Sequence, residues 1–358
     1  MHVGIVAGAL FFVVRAIRLR RNRAVIVVAA VAILYTLLTD ARPPAIRAMI
    51  LVLVFCFSTL LGRPRQAFNS LAAAGLVVLV LNPADLFSTG VHLSFVAVAG
   101  LIWFARDWFG PAKEDEPDAL ARMLLESRPW PSRFAWATLQ GARHLTLVSA
   151  WIWLLTSPLV MAQFHIFAPV AVVLNTLVWI PMALALISGF AVLVCGWMFP
   201  PLAAVFGWCA NGSLWFLEAC VELTRQWSWS HFWVPGPPGW WLVGFYGGLA
   251  ALAALPAIRP PRRWCVGLLT GWIVIGLVVS AARDRRECLE CRFLSVGHGC
   301  AIVLGLPSGE TVLYDAGQFG SPEFGARSVA ESLWSRGVTH VDAVVLSHAD
   351  ADHYNMLP

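Results

Sequence analysis

Apolar runs nearly free of charge recur through the first 283 residues of this 358-residue chain, and they leave it few ways to fold. A bilayer core of roughly 30 Å takes about 20 apolar residues in helix, because lipid offers the backbone amides no other partner. Such runs fall at 3–17, 24–39, 45–61, 67–81, 91–105, 144–162, 168–198, 201–223, 239–257 and 264–282. About ten membrane segments are expected, some short enough to tilt or re-enter. The chain is 59% hydrophobic and 13% charged, against about 45–50% and about 25% for a soluble globular protein, so water is the wrong solvent for most of it.

Arginine sets the expected orientation. Arg15, Arg18, Arg20, Arg21 and Arg23 crowd the first loop and Arg63 and Arg65 mark the third, which places both loops in the cytoplasm. Alternation then puts the charged loop 106–143 and the "RPPRR" turn at 259–263 inside. The Trp-rich stretch "QWSWSHFWVPGPPGWW" falls at the outer interface, and whatever follows the last segment lies on the outer face. Run 168–198 is long enough for two helices broken near Pro181 or Gly189. The net charge of +5 comes mainly from these arginine clusters, so topology explains it at least as well as a nucleic-acid partner would.

Cys56, Cys195, Cys209, Cys220 and Cys265 lie within apolar runs, where a thiol behaves as a small hydrophobe, and no disulfide framework follows. Cys288 and Cys291 have C-x-x-C spacing but lack the second pair a zinc site needs. The N-terminus sets its apolar run before its charges, the reverse of a signal peptide, and is read as a span or its remnant.

From Cys291 the pattern changes. "CRFLSVG", "CAIVLGL" and "TVLYDAG" read as short strands, "GARSVAESLWSRGV" as a polar helix and "VDAVVLS" as another strand, the opening of an α/β domain. Pro307, Ser308 and Gly309 supply a hairpin loop between the second and third strands. "SHADADH" then leaves the last strand at its C-terminal end, where an open α/β sheet presents ligands. His348, Asp350, Asp352 and His353 gather imidazole and carboxylate donors that suit zinc or manganese. Two ions some 3.5–4 Å apart can activate water at neutral pH and clamp a scissile phosphate. A polar loop with chance carboxylates is the plain alternative, but strand and spacing agree with each other.

"SHADADH" resembles the metallo-β-lactamase superfamily signature H-x-[HD]-x-D-H. The resemblance implies that His348 and Asp350 hold one ion and Asp352 and His353 the second, with Asp352 catalytic. It also takes in "VLYDAG", where Asp315 is implied as a supporting residue near the site and not a ligand. That superfamily draws further His and Asp ligands from well downstream, so the polypeptide as given is expected to be a fragment that binds metal weakly or not at all.

A helical membrane domain followed by this fold resembles the ComEC-type competence DNA-uptake channel family. "RPPAIRAMI" with Arg47 and Ala48, "NPADLFSTGVHLSFVAVAGL", and "LNTLVWIPM" with Asn175 and Pro181 resemble stretches of that family. "MHVGIVAG" resembles the middle of its "SGLHv" helix. "LSVGHGCAIVL" resembles its "DVGQGDA" turn, with Ser295, His298 and Cys300 in place of Asp, Gln and Asp. The loops 106–143 and 225–238 match nothing in it.

The resemblance implies a polytopic all-α membrane domain over 1–283 and an incomplete α/β metallo-β-lactamase-like αββα sandwich over 288–358. It implies a bacterial cytoplasmic membrane protein that carries single-stranded DNA inward during natural transformation. An outer, metal-dependent nuclease with two divalent ions, zinc or manganese, would degrade the strand that does not enter. DNA, membrane lipids, and DNA-delivery and uptake proteins are the implied partners. The alternatives are a membrane-anchored metallohydrolase acting on lipid or cell-wall phosphodiesters, and a degenerate, non-catalytic homologue.

Other polar residues in the apolar part carry weaker expectations. A central arginine costs about 2.5–3.5 kcal/mol on insertion scales, so Arg47 is expected either to snorkel to the outer interface or to meet phosphate along a DNA path. Trp227, Trp229 and Trp233 suit an interfacial belt better than base stacking. Glu218 and Glu222, four apart, read as a polar packing face, and Asn175 and Asn211 as hydrogen-bonding between helices. His92 and His165 have no partner in sequence.

Overall fold

The computed structural model describes residues 8, 20–62, 66–108, 129–197, 199–255, 262–281, 287–320 and 322–357. The expected segment 3–17 (but for Gly8), Arg15, Arg18, Arg63, Arg65 and positions 259–261 of the "RPPRR" turn lie outside these residues. So does the middle of the charged loop, 109–128. Two compact units divide the chain: Met1–Thr156 with Pro169–Ser230, and Ser157–Ala168 with His231–Pro358.

Helices α1 (Arg21–Leu38), α2 (Pro43–Leu60), α3 (Ala67–Leu81), α4 (Thr89–Trp108), α5 (Trp130–Phe164), α6 (Val170–Cys195) and α7 (Pro200–Arg225) follow in order. Proline starts α2 and α7, where its missing N–H would have had no helical acceptor. Asp40 and Ala41, at φ 58° and 47°, make the tight left-handed turn between α1 and α2. Side-chain hydroxyls return to carbonyls one turn back, as in Thr36 to Ala32 O at 2.8 Å and Thr224 to Cys220 O at 2.9 Å, so these buried hydroxyls are satisfied without water. At the α4–α5 crossing, Trp151 Nε1 donates to Gly100 O at 3.0 Å. A Cβ on Gly100 would overlap Leu155, which is why the smallest residue stands there.

Pro43–Leu60, Trp130–Phe164, Val170–Cys195 and Pro200–Arg225 are long and apolar enough to cross a membrane, and shorter apolar helices accompany them. Their outward faces are bare: Val80 is 81% exposed and Trp208 83%. Surfaces of that kind suit lipid, and the chain is a membrane protein.

Every expected run from 24–39 onward coincides with a helix. Run 168–198, where the sequence left a break open, is one helix with Pro181 inside α6, because a helix in lipid tolerates the loss of one amide bond. One detail differs from expectation. Helix α5 begins at Trp130, so residues 130–143 of the expected loop are helical, continuing the ladder out of the apolar run.

In the second unit, β1 (Ile166–Phe167) pairs antiparallel with β2 (Phe232–Trp233) in a short ribbon not foreseen in the sequence. Helices α8 (Gly239–Ala254) and α9 (Arg262–Ala281) interlock, with Trp241 Nε1 donating to Trp272 O at 2.8 Å. A four-stranded sheet follows, ordered β3 (Glu290–Phe293), β4 (Ala301–Gly305), β5 (Thr311–Ala316) and β6 (Ala343–Val345). The first two pairings are antiparallel, and β5–β6 is parallel across the crossover helix α10 (Pro322–Trp334). Its core joins Val296, Ala301, Leu313, Ala316, Val329, Leu333, Val338 and Met356. The expected loop at Pro307–Gly309 is a tight turn, and Gly309 takes φ 94°, which glycine adopts without strain.

The Gly100 crossing yields a direct check. Gly100→Val should destabilise the helical unit by about 1–3 kcal/mol through overpacking, read as a lower melting temperature by circular dichroism in detergent. Gly247→Ala, where nothing lies within 4 Å of the added methyl, should not lower it.

Candidate metal centre

Strand β5 delivers Asp315 into the sheet domain at φ 52°, a left-handed conformation that a residue other than glycine adopts only where its surroundings enforce it. The residue is 1% exposed. Its carboxylate accepts from Ser347 N–H, Ser347 Oγ–H and His353 Nδ1–H, each at 2.7 Å. Burial alone would raise its pKa, but these hydrogen bonds and the adjacent imidazole outweigh it and bring the value down to about 2. The same hydrogen bond holds His353 above the usual imidazole value.

Ser347 and the histidines follow from where β6 ends. With its hydroxyl proton given to Asp315, Ser347 Oγ is left to accept from His348 Nδ1 at 2.9 Å. These contacts fit the tautomer that donates from Nδ1, in which Nε2 of each ring is the atom that can ligate. The rings lie 4.0 Å apart between centroids. His348 Nε2 is 3.2 Å from Asp350 Oδ2, and His353 Nε2 is 3.8 Å from Asp352 Oδ2. The structure therefore brings together all five residues that the sequence singled out here, Asp315, His348, Asp350, Asp352 and His353. Nitrogen lone pairs beside exposed carboxylates are a donor set that fits a divalent ion.

Backbone and side-chain contacts hold this loop to the end of β5 and to the residue before β4. Cys300 N donates to Asp352 O at 3.2 Å, Met356 N to Ala316 O at 2.9 Å, and Gln318 N to Asn355 Oδ1 at 2.9 Å. Gly317 lies so close to Asp352 and His353 that a Cβ would overlap their backbone. Helix α11 (Ala351–Tyr354) places Asp352 and His353 on its first turn, where the sequence suggested only loop.

Cys300, Asp315 and His353 offer donor atoms within 4.8 Å of one another, a grouping that the sequence did not reveal. The Asp315 oxygens there already accept three hydrogen bonds. Burial, then the Asp315 charge, raise the pKa of the Cys300 thiol. Ser347 was missed, and Cys300 was noted only as a departure from the resembled turn, for one reason: each reaches Asp315 only through the pairing of strands. The serine directly before the first histidine of "SHADADH" was the available signal.

The remaining polar residues take defined places. Arg47 is 6% exposed, its guanidinium packs near Gly90 and its Nε has no hydrogen-bond partner, so it does not reach out along the helix to an open interface. Glu222 pairs with Arg225 at 3.0 Å, an exposed bridge of little energetic weight. His92 Nε2 contacts Leu86 O at 2.7 Å, beside the 3-10 turn Pro83–Phe87. Trp227 and Trp229 stack at 5.0 Å.

Asp315 has the position of a residue that orients an imidazole, and losing such a partner typically weakens metal binding about 10–100-fold. Asp315→Ala and Ser347→Ala should each lower divalent-ion affinity within that range in calorimetric titration. Ser308→Ala, on the distant hairpin turn, should leave it unchanged.

A family model described as Competence protein matches residues 1–259, and one for the metallo-beta-lactamase superfamily matches 296–356. ComE operon protein 3 of Bacillus subtilis (strain 168) is 23% identical over 99% of this chain and 44% of its own length. Uncharacterized protein YcaI of Escherichia coli (strain K12) is 26% identical over 89% of the chain and 39% of its own length. Competence protein ComA of Neisseria gonorrhoeae is 26% identical over 90% and 40%. The chain thus spans less than half the length of these curated relatives. No solved structure matches it. The first of these models covers well over half of the 358 residues, and the chain accordingly belongs to the competence protein family, with a metallo-β-lactamase-superfamily region after its helices.

Proposed function

We propose that this chain conducts single-stranded DNA across the bacterial cytoplasmic membrane during natural transformation, and that its metal centre hydrolyses the strand left outside. One observation carries the reading: helices of the competence family and a histidine–aspartate cluster occur on a single chain. In this reading the helices through residue 283 form a multi-pass channel domain. Residues 288–358 belong to a nuclease domain on the outer face, supplied with DNA by delivery proteins and handing the surviving strand to uptake proteins inside.

Two divalent ions, zinc or manganese, would supply Lewis-acid polarisation of a phosphoryl oxygen and water activation at neutral pH when bound. His348 and Asp350 would hold one, and Asp352 and His353 the other. Asp315 fixes the His353 ring through its 2.7 Å bond to Nδ1, so that Nε2 stays turned to the ligand side. Asp352, the catalytic candidate, stands on the exposed side of the cluster, where its carboxylate can take a proton from attacking water. The substituted turn leaves this arrangement standing, because Asp315 keeps its bonds to Ser347 and His353 beside Cys300. Arg47, buried with an unpartnered Nε, suits passing contact with phosphates along the DNA path.

The test uses a knockout complemented with the full-length gene. Wild type should restore uptake of labelled DNA, and the Asp352→Ala, His353→Ala variant should release labelled nucleotides at least about 100-fold more slowly, beyond the effect of losing one supporting residue. Normal uptake by the uncomplemented knockout would remove the transport reading. Undiminished nucleotide release by the variant would remove the nuclease reading alone.

A further inference from the structure

Three segments of the second unit bring aromatic rings into one stack. Trp334 closes α10, the crossover helix of the sheet domain, Trp233 ends β2, and His165 stands directly before β1. Trp233 and Trp334 lie face to face, with ring centroids 4.4 Å apart and planes within 13°. His165 packs on the same Trp334 ring at 5.9 Å, and His231 meets Trp233 edge-on at 5.6 Å. Offset and edge contacts of this kind are the favoured aromatic geometries.

His165 is held against its own preferences. Its φ of 55° lies in the left-handed region, the residue is 6% exposed, and its Nδ1 has no hydrogen-bond partner. Strain and an unpaired buried nitrogen are both unfavourable, so the surroundings must over-determine this residue. They do so from both sides: His165 N donates to Met161 O at 3.1 Å, and His165 O accepts from Val234 N at 2.9 Å. Gly236 closes the fit, since a Cβ there would come within 2.8 Å of Ala162 Cα. Burial keeps the His165 pKa below the usual imidazole value, so the ring packed on Trp334 is the neutral form.

Behind the stack lies the core that supports the metal loop. Leu333, beside Trp334 on α10, is buried with Val329, Ala316 and Met356, and Met356 N donates to Ala316 O three residues after His353. The metal cluster itself uses none of the stacked residues.

We infer that the stack of Trp334 with Trp233 and His165 is the docking contact that fixes the sheet domain against the β1–β2 hairpin, so that the hairpin and the metal loop move as one piece. The partner surface is the chain's own hairpin, at the loops joining α5 to α6 and α7 to α8. This inference does not depend on the DNA chemistry proposed above.

Amide hydrogen exchange of the full-length protein in detergent tests it. Trp334→Ala should speed exchange not only in α10 but also at residues 165–167 and 232–234, by up to about tenfold, the worth of one aromatic pair. Trp334→Phe, which keeps a stacking ring, should restore slow exchange at the hairpin. By linkage, Trp233→Ala should speed exchange in α10, and the double variant should add nothing to the single ones. A contact serving only the sheet domain's own fold would let α10 alone respond to Trp334→Ala, and that result would overturn the inference. Should Trp334→Ala fail to fold, the hairpin-side variant still decides, since unchanged α10 exchange in Trp233→Ala is equally fatal.

Discussion

A buried carboxylate joins the two segments that make the candidate metal centre. Asp315 sits at the end of β5, and the groups it binds, Ser347 and His353, lie 32 and 38 residues further along the chain. Without those donors the carboxylate would be an uncompensated charge inside the sheet domain, an arrangement that proteins avoid. With them, the strand end, the Ser347 hydroxyl and both imidazoles are locked into one network, and each ring shows a free Nε2 to the side where Asp350 and Asp352 stand. The left-handed backbone at Asp315 is the visible strain of aiming that side chain inward.

The same physical demand, that a polar group taken from water must find a partner, shapes the helical part. There the answer is local. Threonine and serine hydroxyls bond back to carbonyls one turn earlier, tryptophan indoles reach carbonyls on neighbouring helices, and glycine stands where helices touch. Arg47 departs from this pattern, a buried guanidinium whose Nε is left unpaired.

Legibility in the sequence tracked the range of the interactions involved. Apolar runs marked the helices from 24–39 onward because lipid-facing residues need only be apolar, and the spacing of "SHADADH" marked the histidine–aspartate loop because its four side chains are neighbours in sequence. Helix α6 ran on through Pro181, where the sequence left a break open, since tertiary contacts outweigh one missing amide bond. The β1–β2 ribbon was invisible, as two residues a side carry no periodicity. The contacts of Ser347 and Cys300 with Asp315 went unnoticed because they depend on strand register. Asp315 itself was found only through resemblance to a known motif.

Anomalous scattering at the zinc edge, from crystals of the full-length protein grown with zinc, bears most directly on whether this cluster is a metal centre. The account predicts a peak beside the Nε2 atoms of His348 and His353, with Asp315 still bonded to Nδ1 of His353. A peak between Cys300 and Asp315, or none at this loop, would contradict it.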